Sequence, residues 1–356
     1  MCDGGDHEHG HDHQREARAA MPRTIAGDAV DPITLEPVDE VVITTLVDNS
    51  YDGLLGDGGP ARRAGMGRVA RVAAPQFVQG DTAPGLVAEH GFAALVTTRR
   101  GERTHTLLFD TGVSPNGLAD NMERLGITAA DIEALVLSHN HFDHAGGILG
   151  LSRLRRRDKL PLTVHPDVWT ARRVAVPGAP EWYLPTLSRR SLEDEGFTVI
   201  ERRQPSLLLD GSVLVTGEID RTTDFETGMR FHERQGPHGW EPDPLILDDQ
   251  AIVIHVRDRG LVVLTGCGHA GAVNICRYAL RLTQVPVLAG LFGGFHLSGP
   301  AFEPIIEPTV AALQAMAPAV VVPAHCTGWK AQHRLAAALP DSFVPNAVGT
   351  SFTIAA

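Results

Sequence analysis

Three imidazoles and a carboxylate fall within six positions of this chain, at His139, His141, Asp143 and His144. They lie in the run Ser138-His-Asn-His-Phe-Asp-His-Ala-Gly-Gly147. Imidazole and carboxylate together suit zinc, iron or manganese. An apolar run, Ala134-Leu-Val-Leu137, precedes the motif and predicts a buried strand that ends at the first histidine. On an extended backbone His139 and His141, two apart, point to one side and can share an ion. Asp143 and His144 fall where the strand gives way to the next element, so they can face a second ion beside the first. Gly146 and Gly147 let backbone pass close to the metals. A solvated His-rich loop is the alternative reading.

One loop does not complete two coordination shells. Two later segments share its form, an apolar run ending in a polar turn. Leu261-Val-Val-Leu-Thr-Gly-Cys-Gly-His269 offers Cys267 and His269. Val320-Val-Val-Pro-Ala-His-Cys326 offers His325 and Cys326. In each the imidazole should emerge at a sheet edge, and His269 and His325 are read as ligands. Cys267 stands open between a zinc thiolate and a small buried residue in a tight glycine turn. Cys326 should point away from its neighbour on an extended backbone and is read as a non-ligand. His296, in Gly293-Gly-Phe-His296, follows another apolar strand. It can contact substrate or donate a proton, or serve as a structural hydrogen-bonder. Glu218, ending Val213-Leu-Val-Thr-Gly-Glu218, is a candidate ligand or supporting carboxylate. Asp110 is expected to orient a ligand histidine, a role worth about 10–100-fold in metal affinity or activity.

Strands must hold these positions. They are expected at 41–49, 93–96, 105–112, 134–137, 162–165, 285–288, 319–323 and 351–354. Hairpins should span 207–218, turning at Asp210-Gly211, and 251–266, turning at Asp258-Arg-Gly260. Leu118, Met122 and Leu125 fall at helical spacing, with Gly126 as the stop. Thr128 and Asp131 resemble a capping box. The 170–197 region reads as helical, broken by prolines, and further helices are expected at 307–316 and 329–339. Val273, Cys276 and Leu280 line one helical face, which makes Cys276 a core residue. The Gly/Pro/Ala-rich stretch 52–88 reads as a lid or binding loop. The basic run 153–159 reads as a solvated helix face, with a phosphate or nucleic-acid contact as the alternative. Strands then helices, twice over, give an α/β (α+β) class in which each half supplies one sheet with helices outside it.

The chain has 356 residues, 43% hydrophobic, enough for a sizeable core. Its formal net charge of −12 repels polyanions and argues against nucleic acid as a partner. A small substrate, anionic ones included, fits better. The four cysteines form no secreted disulfide framework. There is no apolar leader and no run of the roughly 18 apolar residues that a membrane span needs. The cytoplasm is the expected location. Residues 1–38 form a tail in which histidine alternates with acid and glycine up to His13. It reads as a disordered, solvated segment or as a metal-scavenging arm feeding the site. Residues 39–356 form one domain.

The spacing His139-x-His-x-Asp-His144, preceded by Leu108-Phe-Asp-Thr-Gly112 and followed by His325, resembles the metallo-β-lactamase fold. Finer pieces narrow the likeness: Leu46-Val-Asp-Asn49, Glu89-His-Gly91, Asp248-Asp-Gln-Ala251, Thr265-Gly-Cys-Gly-His-Ala-Gly271 and Pro323-Ala-His-Cys-Thr-Gly328. Together they resemble the dihydropterin (ribofuranosyl)aminobenzene-phosphate synthase-like branch of metal-dependent hydrolases. The resemblance implies a four-layer αββα sandwich with one or two metals at its edge, zinc first, iron or manganese as alternatives. It implies one ion on His139, His141 and His269 and another on Asp143, His144 and His325. Asp143 would orient the nucleophilic water, and His296 would act on the substrate. Cys267 stands where most relatives place a metal-bridging Asp. The implied activity is hydrolysis of a small ester, phosphoester or lactone. A transferase or lyase acting on a pterin-like or aromatic phosphate is the second reading, and metal sensing or storage through the His-rich tail the third.

Overall fold

A computed structural model describes residues 32–356 other than Arg157, together with the short strand Arg23–Thr24. Two mixed sheets face each other. The first has eight strands in the order Phe197–Glu201, Leu160–Val164, Ala134–Val136, Arg103–Phe109, Ala93–Arg100, Glu40–Val47, Ser351–Ala355 and Ala61–Arg62. The second has seven, in the order Arg23–Thr24, Ser206–Leu208, Val213–Val215, Ala251–Val256, Gly260–Thr265, Leu288–Gly294 and Val321–Ala324.

The two-residue period of a strand sorts its side chains to opposite faces. Leu107, Phe109, Ala134 and Val136 of the first sheet meet Ile252, Ile254, Val262 and Leu264 of the second in a core between the sheets. The alternate residues Leu108, Leu135 and Leu137 face outward, under Leu118 and Met122 of the helix Gly117–Leu125 and Ile148 and Leu151 of the helix Ile148–Leu154. On the second sheet Val253, Leu261 and Val263 pack under helices Ala272–Thr283, Ile306–Met316 and Trp329–Ala338. Each large apolar side chain so buried contributes about 1.5–3 kcal/mol. The result is the αββα sandwich that the sequence implies.

Four local expectations give way. The chain does not divide into one sheet per half, because Ser351–Ala355 returns to the first sheet and pairs with Glu40–Val47. The 170–197 region is mostly extended. Arg172–Val174 and Trp182–Tyr183 pair with each other, and only Arg189–Asp194 is helical. Prolines 177, 180 and 185 supply no N–H donors, and an extended path tolerates that better than a helix does. Arg172–Val174 also pairs with His232–Gly236, which pairs with Gly239–Pro242, so this segment builds a small four-stranded sheet. Thr128 makes no capping hydrogen bond. The chain is already packed at Ile33 and Leu35, ahead of the domain start expected at 39, and the Ile33 N–H donates to the Leu282 carbonyl at 2.7 Å. The His-rich residues 7–13 lie outside the described residues.

Parallel strands end together, and this places the site. Arg103–Phe109, Ala134–Val136 and Leu160–Val164 run parallel, as do Gly260–Thr265, Leu288–Gly294 and Val321–Ala324. Asp110, His139, Cys267, His296 and His325 therefore all follow strand C-termini. Gly146 and Gly147 serve a purpose other than the one expected. A Cβ at Gly146 would sit 1.8 Å from the Val113 carbonyl oxygen, and one at Gly147 would sit 2.1 Å from that of Thr111. The glycines let the His-rich motif lie against the loop that carries Asp110. Gly146→Ala should therefore cost about 1–3 kcal/mol by overpacking. Urea unfolding would measure it, and an unchanged midpoint would contradict this contact.

Candidate metal centre

Three ring nitrogens converge at the edge of the sandwich. His139 Nε2 lies 3.0 Å from His141 Nδ1, and His269 Nε2 lies 3.1 Å from each of them. All three side chains are buried. Burial drives their imidazoles well below the ordinary range, so each offers a lone pair at neutral pH. A neutral ring nitrogen makes one in-plane hydrogen bond, so three facing one another cannot all be satisfied. A tetrahedral ion at about 2.0–2.1 Å from each would hold them about 3.3 Å apart, close to the observed spacing.

A second set adjoins the first. His325 Nε2 lies 3.2 Å from Asp143 Oδ2, and His144 Nε2 lies 3.9 Å from it. His325 Nε2 has no hydrogen-bond partner although it is buried. Burial alone would raise the Asp143 carboxyl, but His144 and His325 beside it hold it well below the usual carboxylate range. Burial alone would lower His144, but the Asp110 and Asp143 carboxylates outweigh it and raise its pKa to about 9. Cys267 sits between the sets, with Sγ 3.1 Å from His144 Nε2, and its sulfur is close enough to share an ion with either. Burial pushes its thiol up, which a neighbouring cation would reverse.

Supporting groups fix these side chains. Asp110 accepts from the Ser138 N–H and hydroxyl, both at 2.7 Å, and lies 2.7 Å from His144 Nδ1. It does so from a left-handed backbone, φ 61°, a strain that tight surroundings must sustain. Asp248 accepts from the Asn140 N–H, between the two histidines of the motif, at 2.8 Å. Arg172 in turn grips both oxygens of Asp248 and reaches Asp243 at 2.8 Å, all three inside the protein. Asp48 accepts from the His325 N–H at 2.7 Å, and Asn49 Oδ1 lies 3.2 Å from His325 Nδ1.

The structure thus brings together His139, His141, Asp143, His144, Cys267, His269 and His325. His296 stands beside them, its ring centroid 4.4 Å from that of His269. Glu218 does not join; it pairs with Arg203 at 2.7 Å and lies 3.6 Å from His165. Cys326 does not point away. His325 takes φ 47° in a 3-10 turn, so the backbone is not extended there, and Cys326 Sγ reaches the Cys267 carbonyl at 3.3 Å. Cys276 is core, as expected. Sequence reasoning gave no role to His90, 3.7 Å from Asp143, to Asp249, 3.9 Å from His139, or to the Arg172 clamp. Asn49, His90, Asp248 and Asp249 lie in the quoted motif pieces, whereas Arg172 carries no local signal.

The raised His144 pKa fixes a pH dependence for metal-free protein. About 9 when folded lies above 6.5 when unfolded. The pairing with Asp110 and Asp143 therefore adds stability that is complete below pH 6.5 and lost as pH rises through about 9, on the order of 3 kcal/mol. In chelator-treated protein the unfolding free energy should fall over that window, and His144→Gln should flatten the fall. Equal profiles for the two chains would contradict the pairing.

The family model for the metallo-beta-lactamase superfamily matches residues 88–279, more than half of the chain. The chain is 27% identical over 265 residues to the 7,8-dihydropterin-6-methyl-4-(beta-D-ribofuranosyl)-aminobenzene-5'-phosphate synthase of Methanocaldococcus jannaschii, covering 72% of this chain and 87% of that protein. It is 32% identical over 165 residues to the ribonuclease Z of Salinibacter ruber, 44% of this chain and 46% of that protein. A solved structure of a metal-dependent hydrolase of the beta-lactamase superfamily matches with a TM-score of 0.65 at 22% identity, covering 89% of this chain and 100% of the other. That likeness shows the fold alone. The family match and the sandwich agree, and the chain belongs to the metallo-beta-lactamase superfamily.

Proposed function

We propose that this chain is a metal-dependent hydrolase of a small ester, phosphoester or lactone. The observation that carries the reading is the pair of adjoining donor sets, one of three neutral imidazoles and one of Asp143, His144 and His325, with Cys267 between them. Mixed nitrogen, oxygen and sulfur donors favour zinc, with iron or manganese as alternatives. Two bound divalent ions would supply Lewis acidity and bring the pKa of a coordinated water down to about 7.

The chain's own residues do the rest. His139, His141 and His269 would hold one ion, and Asp143, His144 and His325 the other. Asp143, kept ionised by its histidine neighbours, orients the attacking water. Asp110 and the Arg172–Asp248 clamp keep the ligands from turning away. A pocket lined by Phe225, Met229, Phe295 and Phe302 opens beside His269 and His296. It gives the apolar part of a substrate a place next to the donors, and His296 a place to touch it. No helix among the described residues is long and apolar enough to cross a membrane. The free thiols of Cys267, Cys276 and Cys326 favour a reducing compartment such as the cytoplasm.

Similarity to a synthase over most of the chain supports a second reading, transfer or elimination on a pterin-like or aromatic phosphate substrate. Turnover in heavy-oxygen water separates the two, because hydrolysis must carry the label into product and transfer need not. Under the first reading, on a panel of phosphoesters, lactones and thioesters, Asp143→Asn should lower kcat by about 10²–10⁴ while the unfolding transition is retained. Wild-type turnover by both Asp143→Asn and His141→Ala would refute the hydrolase reading.

A further inference from the structure

The donor array does not end at Cys267. The sulfur of Cys267, the sulfur of Cys326 and a ring nitrogen of His296 all lie within 4.8 Å of one another. We propose that these three side chains form a third cation position, thiolate-rich and distinct from the two imidazole and carboxylate sets, with Cys267 as the shared ligand. The ion it suits is a borderline-soft divalent cation such as zinc, its fourth place open to water.

The fold makes room for this cluster in a specific way. Cys267 follows the strand Gly260–Thr265 and Cys326 follows Val321–Ala324. Leu288–Gly294 lies between those strands, paired with both. A side chain at the end of that middle strand would keep the two cysteines apart. The residue there is Gly294, where a Cβ would come 2.4 Å from the Gly266 carbonyl oxygen, 2.7 Å from Cys326 Sγ and 3.2 Å from Cys267 Cα. Two residues on, His296 turns back with φ 45°, and His325, next to Cys326, has φ 47°. Non-glycine residues held in the left-handed region cost on the order of 1–3 kcal/mol each and cluster where function requires them. The Nδ1 of His296 has no hydrogen-bond partner. Nothing in the hydrolase reading uses Cys326. A disulfide would join the sulfurs without engaging His296, whereas a cation engages all three groups.

The proposal rests on the metal-dependent reading only in sharing Cys267. The test is zinc content per chain after loading and gel filtration, together with the sulfur coordination number from zinc-edge X-ray absorption. Wild type, Cys326→Ala, Gly294→Ala and His141→Ala would be compared, each with its own tail intact. Cys326→Ala should lose one zinc equivalent and about half of the sulfur signal. Gly294→Ala should do the same with every donor still present. His141→Ala should lose zinc and keep the sulfur signal. If Cys326→Ala binds as much zinc with as much sulfur as wild type, the third position is wrong whatever the other chains do. If Cys326 of loaded wild type reacts with a thiol reagent as fast as in stripped protein, it is equally wrong. If His141→Ala alone retains all its zinc, the hydrolase reading fails and the third position still stands or falls on Cys326→Ala.

Discussion

Three buried imidazole nitrogens facing one another within about hydrogen-bonding distance are the constraint on which the rest of this structure depends. Neutral rings crowded this way have no arrangement of protons that satisfies them all. Charged rings would repel one another inside a low-dielectric interior. A cation bound among them would resolve the conflict, as expected of a metal-dependent superfamily. Burial keeps His139, His141 and His269 neutral, and in the metal-free protein two carboxylates favour a proton on His144, beside the ionised Asp143, that a bound cation would displace.

That cluster explains features otherwise unrelated. Parallel strands from two sheets end at one edge because the donors come from both. Asp110 accepts a left-handed backbone so that one carboxylate can hold Ser138 and His144 together. Arg172 is buried with two carboxylates, an expensive arrangement whose return is a fixed peptide between His139 and His141. The left-handed turns at His296 and His325 serve the same edge.

The layered fold and the side chains that gather at its edge were legible in the sequence because their signals are local. An apolar run ending in a histidine marks a strand and its exit, as at 134–139, 261–269 and 320–325. Asp110 was legible for the same reason. Cys326 was misread because its direction depends on one φ angle at His325, which no spacing reveals. The 170–197 segment was misread because its strands pair with 232–242, far away in sequence, and long-range pairing leaves no periodic trace. Arg172 was missed because its partners, Asp243 and Asp248, meet it only after folding. The close approach at Gly146 and Gly147 was correctly sensed, but its object was a neighbouring backbone and not a metal.

The central claim is that the frustrated cluster is a binuclear metal site. Anomalous diffraction from crystals of metal-loaded protein, collected on either side of the metal's absorption edge, tests it most directly. The expected result is one peak about 2.0–2.1 Å from His139 Nε2, His141 Nδ1 and His269 Nε2, and a second among Asp143, His144 and His325. Crystals of loaded protein with no peak at either position, and with the imidazoles in these orientations, would contradict the account.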